Sequence, residues 1–238
     1  MRVLITGATS GIGRQLALDY RAEGHEVFGC GRNPAALQEL ADAGIHPLAF
    51  DAGERRQVLE SLAELASLDL VILNAGSCEY IDHPRQFDGA LLQRVMQTNV
   101  IGVGYCLEAL LPRLAPGSRL ALMGSIASEL PLPRAEAYGA SKAAVAYLAR
   151  TLALDLRPHG IGVSLIRPGF VRTPLTDKND FAMPMRVEAT EASRVIRREL
   201  ARGVAEIHFP KRFTRLLKLL GKLPDRAWQR IALKGLKR

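Results

Sequence analysis

Tyr138 and Lys142 close the short stretch Tyr-Gly-Ala-Ser-Lys, in a region rich in small and apolar residues. At that spacing on a helix the two side chains share one face. A phenol has an ordinary pKa of about 10, too high for easy proton exchange near neutrality. A neighbouring ammonium favours the phenolate and lowers that value. The pair is therefore a candidate proton donor and acceptor for an oxygen that develops negative charge. An ordinary amphipathic face would show the same spacing, so the pair alone decides nothing.

A second constellation lies near the N-terminus, in Thr6-Gly7-Ala-Thr-Ser10-Gly11-Ile12-Gly13. Its glycines are spaced GxxxGxG, between an apolar strand and a helical stretch. That arrangement supplies a tight turn, a backbone close to pyrophosphate and a helix N-terminus facing negative charge. The next strand ends in Cys30-Gly31-Arg32-Asn33. No carboxylate stands there to repel a 2′-phosphate, and the Arg32 fork can pair with one. These residues predict NADP(H) as the cofactor, with Arg14 a weaker second cation and a solvated surface arginine the competing reading.

The elements that must hold these residues alternate along the chain. Strands are expected at Arg2–Thr6, His25–Gly29, Ile45–Phe50, Leu68–Leu73, Ser118–Met123, Ile161–Ile166 and Glu206–Pro210. Between them run helical patterns over Gly13–Glu23, from Asn33-Pro34, around Val58–Leu65, over Asp88–Leu111, Ala137–Leu156 and Thr190–Arg202. Such alternation implies parallel pairing through right-handed crossovers, an α/β doubly wound parallel sheet of the Rossmann type. Ligands in these sheets bind beyond the carboxyl ends of the strands. The expected division is a Rossmann core over 1–175, a lid, helix and last strand of the same domain over 176–210, and a basic amphipathic extension over 211–238.

Taken together, the motifs resemble the classical short-chain dehydrogenase/reductase family over about residues 1–175. The match comprises TGATSGIG, Asp51, Asn74-Ala75-Gly76, Asn99, Ser125, Tyr138 with Lys142, and Pro168-Gly-Phe-Val171-Arg-Thr173, in order. The resemblance implies an oxidoreductase that moves a hydride between nicotinamide and a carbonyl or alcohol. Tyr138 would exchange the proton, Ser125 orient the substrate oxygen and Lys142 also hold the nicotinamide ribose. Asn99 would hold a water that links Lys142 to solvent. Asp51 would contact adenine, Asn74–Gly76 line the adenine-ribose wall, and Pro168–Thr173 pack on the nicotinamide. Each residue has a plain alternative: a helix cap for Ser125 or Asp51, a buried hydrogen-bonder for Asn99. Members of this family also pair the 137–157 helix across a dimer axis, which makes a homo-oligomer an expectation beside simple packing on the sheet.

The bulk numbers leave room for this reading. The chain has 238 residues, 48 % hydrophobic and 24 % charged, an ordinary balance for one globular domain. The net charge of +8 belongs to the tail: residues 211–238 hold ten Lys or Arg and one acid, leaving 22 basic and 23 acidic residues over 1–210. A nucleic-acid-binding body is therefore not expected. No signal-peptide pattern or membrane-length apolar run is present, and Cys30, Cys78 and Cys106 lack metal-ligand spacing, so buried free thiols in a cytoplasmic protein are expected. Phe181, Met183 and Met185 suggest an apolar lid, whereas Asn179 and His159 read as surface residues. In the tail, Phe213, Leu216, Leu217 and Leu220 share one helical face and Lys211, Arg215, Lys218 and Lys222 another; Trp228, Ile231, Leu233 and Leu236 continue the pattern. The segment suits peripheral contact with an anionic membrane, although a cover over the substrate pocket or a subunit partner is the commoner use of such a helix.

Overall fold

The computed structural model describes the backbone of residues 1–236 and the side chains of residues 1–233. Leu236 and Lys234 as side chains, with Lys237 and Arg238, lie outside the described residues. Strands β1 (Arg2–Thr6), β2 (Glu26–Gly31), β3 (His46–Ala49), β4 (Leu68–Leu73), β5 (Leu114–Met123), β6 (Gly162–Pro168) and β7 (Glu206–Phe209) form one sheet. They run in the order β3-β2-β1-β4-β5-β6-β7, all parallel. Helices α1 (Gly11–Ala22), α2 (Pro34–Asp42) and α7 (Ala189–Ala201) cover one face; α3 (Arg55–Leu62), α5 (Gly102–Leu110) and α6 (Glu136–Asp155) cover the other. The chain order reverses between β1 and β4, which opens a crevice at their carboxyl ends.

Strand periodicity builds both layers. Leu4, Val71, Leu73, Leu120 and Leu122 point to one face, and Val3, Ile5, Leu70, Ile72, Ala121 and Met123 to the other. Both sets are buried, so the central strands read as nearly continuous apolar runs. The helix starts follow local chemistry. Asn33 caps α2 by accepting from the Ala36 N–H at 3.2 Å, with Pro34 in the first turn.

Strand β5 starts at Leu114, four residues before the expected Ser118, α3 lies earlier than the expected Val58–Leu65, and the long helix after β4 is broken. In place of a continuous helix over Asp88–Leu111, α4 (Gly89–Met96) passes through a π-helical turn at Gln97–Ile101 before α5 begins. The extra residue rotates Asn99 inward, where it is 1 % exposed. Hydrophobic spacing alone cannot register one inserted residue. The basic tail forms α8 (Lys211–Leu220) and α9 (Asp225–Leu236), interrupted at Pro224. No helix among the described residues is long and apolar enough to cross a membrane.

Candidate active site

The glycine loop is locked to the tip of β4. The Thr6 hydroxyl accepts the N–H groups of Asn74 and Ala75, each at 3.0 Å. The Asn74 amide donates back to the carbonyls of Thr6 at 3.1 Å and Gly7 at 3.2 Å. A Cβ on Gly13 would lie 2.2 Å from the Gly7 carbonyl oxygen, so no side chain fits there. Gly7 takes a left-handed φ of 65°, the conformation that favours glycine. At the start of α1, Ser10 makes no side-chain cap and the first turn holds no acid. The helix thus keeps its N-terminal N–H groups without a side-chain acceptor, as a pyrophosphate cradle requires. Ile12 is half-buried beside this turn. Thr173 stands over it, with its methyl 2.9 Å from where a Gly11 Cβ would be, while Val171 is buried and Pro168 ends β6.

Arg32 and Asp51 meet at the edge of the crevice, Nη1 to Oδ2 at 2.9 Å. Asp51 also accepts the Gly53 N–H at 2.8 Å. Burial would raise its pKa, but that bond and the guanidinium outweigh it and hold the carboxyl below its usual range. Asp51 therefore shapes the turn before α3 but does not cap that helix, whose N-cap is Glu54, and it faces the cation expected to meet phosphate.

The structure brings Asn99, Ser125, Tyr138 and Lys142 together beyond β4 and β5. Small residues on α6, Ala137, Ser141 and Ala146, let the helix lie close to the sheet, and this buries Lys142 to 4 % exposure. The Lys142 ammonium donates to the Met123 carbonyl at 2.9 Å and lies 5.8 Å from the centre of the Tyr138 ring. Asn99 donates to the Ser77 carbonyl and the Ser141 hydroxyl, both at 2.9 Å, and its Oδ1 accepts the Ser77 N–H at 2.7 Å. A Cβ on Gly76 would sit 3.1 Å from that oxygen and 3.3 Å from the Lys142 nitrogen, so both converge over the glycine.

The sequence expectation is that Lys142 together with oxidised nicotinamide lowers the Tyr138 pKa. In the protein alone, burial pushes the phenol well above its ordinary value, with Cys78 adding to the rise and Ser125 opposing it. Burial also pushes the Lys142 ammonium down to about 8, which Cys78 only partly opposes. Desolvation penalises both charged forms and is the largest cause of each shift.

Several residues beside this cluster have no motif to announce them. Cys78 is expected to be a buried free thiol; it is half-buried and flanks Tyr138 and Lys142, whereas Cys30 and Cys106 lie in the core. Tyr80 lies beside Cys78 and Asn179. Asn179 is thus not a plain surface residue: it is half-buried and its amide also reaches the Met183 sulfur at 3.5 Å. Phe181 meets Tyr80 edge-on at 5.5 Å and Phe170 at 6.1 Å. Their position directly after the β4 and β6 tips is the signal that could have found them.

Known proteins share this architecture. A profile of the family described as short chain dehydrogenase matches residues 1–183. The chain is 36 % identical over 232 residues to an uncharacterized oxidoreductase of Myxococcus xanthus (strain DK1622), covering 91 % of each. It is 30 % identical over 180 residues to the NADP-dependent 3-hydroxy acid dehydrogenase YdfG of Escherichia coli (strain K12), covering 72 % of this chain and 73 % of that one. The closed form of a serine dehydrogenase complexed with NADP+ superposes with a TM-score of 0.78 at 25 % identity, covering 88 % and 94 % of the two chains.

This chain belongs to the short-chain dehydrogenase family.

As a short-chain dehydrogenase it is a nicotinamide-dependent oxidoreductase, and its crevice has one wall still to describe. Arg134, at a left-handed φ of 67°, bridges two loop segments beside the crevice. Its guanidinium donates to Asp82 at 2.8 Å and to Asp180 at 2.8 and 3.3 Å, and lies 5.5 Å from the Tyr80 ring. The segment after β4 and the segment after β6 of this short-chain dehydrogenase are thereby joined over the site.

Proposed function

We propose that this short-chain dehydrogenase is an NADP(H)-dependent reductase of hydrophobic carbonyl compounds, reversible as an alcohol dehydrogenase. The observation that carries the reading is the half-buried Tyr138 phenol, beside Ser125 and with the Lys142 ammonium 5.8 Å from its ring centre. NADPH would supply the hydride. Gly7, Ser10, Gly11, Ile12 and Gly13 would hold its pyrophosphate, and Arg32 its 2′-phosphate. Asp51, Asn74, Ala75 and Gly76 would flank the adenosine, with Pro168, Val171, Thr173 and Lys142 at the nicotinamide riboside. The NADP+ and NADP dependence in the names of two relatives supports the same choice.

Tyr138 donates its proton to the carbonyl oxygen as that oxygen becomes negative, and Ser125 orients it. A phenol kept neutral by burial is the correct form for reduction. Lys142 keeps the site positive toward the developing charge. Asn99 Oδ1 and the Lys142 nitrogen both lie over Gly76, and a relay water bound between them would reprotonate Tyr138. Tyr80, Phe170 and Phe181 give the pocket an aromatic wall, which favours an apolar substrate. A series of aldehydes and ketones of rising chain length, followed by NADPH absorbance, tests this. Turnover that rises with chain length is expected, and a flat response removes the hydrophobic substrate. Replacing Tyr138 by Phe separates this enzyme from a non-catalytic NADP-binding sensor, whose behaviour would hardly change.

A second reading concerns the tail. Leu216 is 53 % exposed, Leu219 64 %, Ile231 46 % and Leu233 57 %, so the fold covers only part of the apolar face. Among ten basic residues, these apolar side chains support peripheral docking on anionic lipid. Flotation with phosphatidylserine-containing vesicles, but not with phosphatidylcholine alone, is the expected result, lost in Leu216→Glu/Leu219→Glu. Exposed Tyr147 and Leu154 on α6, at 74 % and 72 %, support the homo-oligomer in the same way; the mass in solution decides it.

A further inference from the structure

Arg167 is the penultimate residue of β6 and is 1 % exposed. A guanidinium taken out of water is costly unless its charge is paired and its N–H groups are bonded. Here the fork reaches three acceptors. Nη1 donates to Glu206 on β7 at 3.1 Å. Nη2 pairs with Glu129 and donates to the Ser128 hydroxyl at 3.0 Å. Nε has no partner among the described residues. A lysine could not reach three directions from one planar group.

The Ser128 hydroxyl passes the contact on. It accepts from Arg167 and donates to the Ser125 carbonyl at 2.7 Å, which also receives the Ser128 N–H at 3.2 Å. Ser125 is extended (φ −161°, ψ 154°), and only one 3-10 turn follows it, over Ile126–Ser128. Its hydroxyl accepts the Ala127 N–H at 3.1 Å, so the rotamer of Ser125 depends on how that turn sits. So short a turn has few bonds of its own.

The far end of the chain reaches the C-terminal helices. Lys218 on α8 bonds to Glu206 at 2.5 Å, and the Trp228 indole donates to the Pro131 carbonyl at 2.8 Å. A Cβ on Gly221 would lie 2.8 Å from the Glu129 carbonyl oxygen, so α8 ends directly against the segment after the serine turn. Two cations and two carboxylates balance within this group.

We propose that Arg167 is a positioning residue for the Ser125 hydroxyl, acting through Ser128 and held in place by Glu206 and Lys218. The inference rests on the reading that Ser125 orients the substrate oxygen. Because replacing Arg167 itself endangers the fold, the test uses Ser128→Ala, Ser128→Thr and Ser125→Ala in the full chain. Hydrogen exchange over residues 124–130 should accelerate several-fold in Ser128→Ala, stay slow in Ser128→Thr, and not change elsewhere. With NADPH and nonanal, Ser128→Ala should lower kcat by between about 10-fold and 100-fold while the Kd for NADPH holds. In the Ser125→Ala background the same change should have no further effect. Unaltered exchange at the turn, or an equal loss of kcat in both backgrounds, overturns the positioning role. Full turnover by Ser125→Ala overturns instead the reading of Ser125, and the exchange result then judges the Arg167 link by itself.

Discussion

The Lys142 ammonium points at the Met123 carbonyl, 2.9 Å away, with the Tyr138 ring centre at 5.8 Å. Its charge is buried without a carboxylate among the described residues within ion-pair distance. Burial therefore sets its pKa at about 8, against 10.5 ordinarily. Below about 8 the folded protein carries the whole cost of that charge, and the cost is relieved as pH rises from there to 10.5. Lys142→Met should thus stabilise the cofactor-free protein at neutral pH, by a margin that shrinks over this range. Denaturant unfolding of both proteins across pH measures it; a constant margin refutes it.

Tyr138→Phe keeps the ring and removes the proton. Loss of general acid catalysis predicts a fall in kcat by roughly 100-fold to 10,000-fold. NADPH affinity, read from nucleotide fluorescence, should stay close to that of the parent. A modest loss of turnover would place the proton donor elsewhere.

Arg32 must share or leave Asp51 to meet a phosphate. Hydrogen bonds to charged groups contribute about 1.5–3 kcal/mol. Arg32→Ala should accordingly lower kcat/KM for NADPH by about 10-fold to 100-fold and leave that for NADH nearly alone. An equal effect on both cofactors would assign Arg32 to structure.

Glu206 is opposed by burial but held below the usual carboxylate range by Lys218 and Arg167. A depressed folded value means stability that is present above the unfolded pKa of 4.5 and is lost as pH falls through the folded one. Melting temperature should drop on acidification below that value, and Glu206→Gln should be less stable near neutrality with a shallower acid decline. Parallel acid profiles for the two proteins would contradict the pairing.

Gly13→Ala asks the loop to admit a methyl where the Gly7 carbonyl oxygen is 2.2 Å away. The turn must shift, so NADPH binding should be lost with a lowered melting temperature. Normal binding would mean that the loop is softer than its contacts.

Much of this protein was legible in the linear chain, because local chemistry specifies it. Period-two and helical apolar patterns define the alternating elements, Asn33-Pro34 starts a helix, and the glycine spacing marks the loop in which Gly7 and Gly13 leave no room for a side chain. Spacing put Tyr138 and Lys142 on one face before any neighbour was known. The tertiary structure decided what depends on surroundings. The π turn that buries Asn99, the upward shift of Tyr138, and the arrival of Cys78, Tyr80 and Phe181 beside it all come from packing of distant segments. Arg167 reads in sequence as any strand arginine; only burial between Glu129 and Glu206, with Ser128 at its tip, gives it a task. Residue type and spacing fix what a side chain can do, whereas desolvation and through-space contact fix what it does.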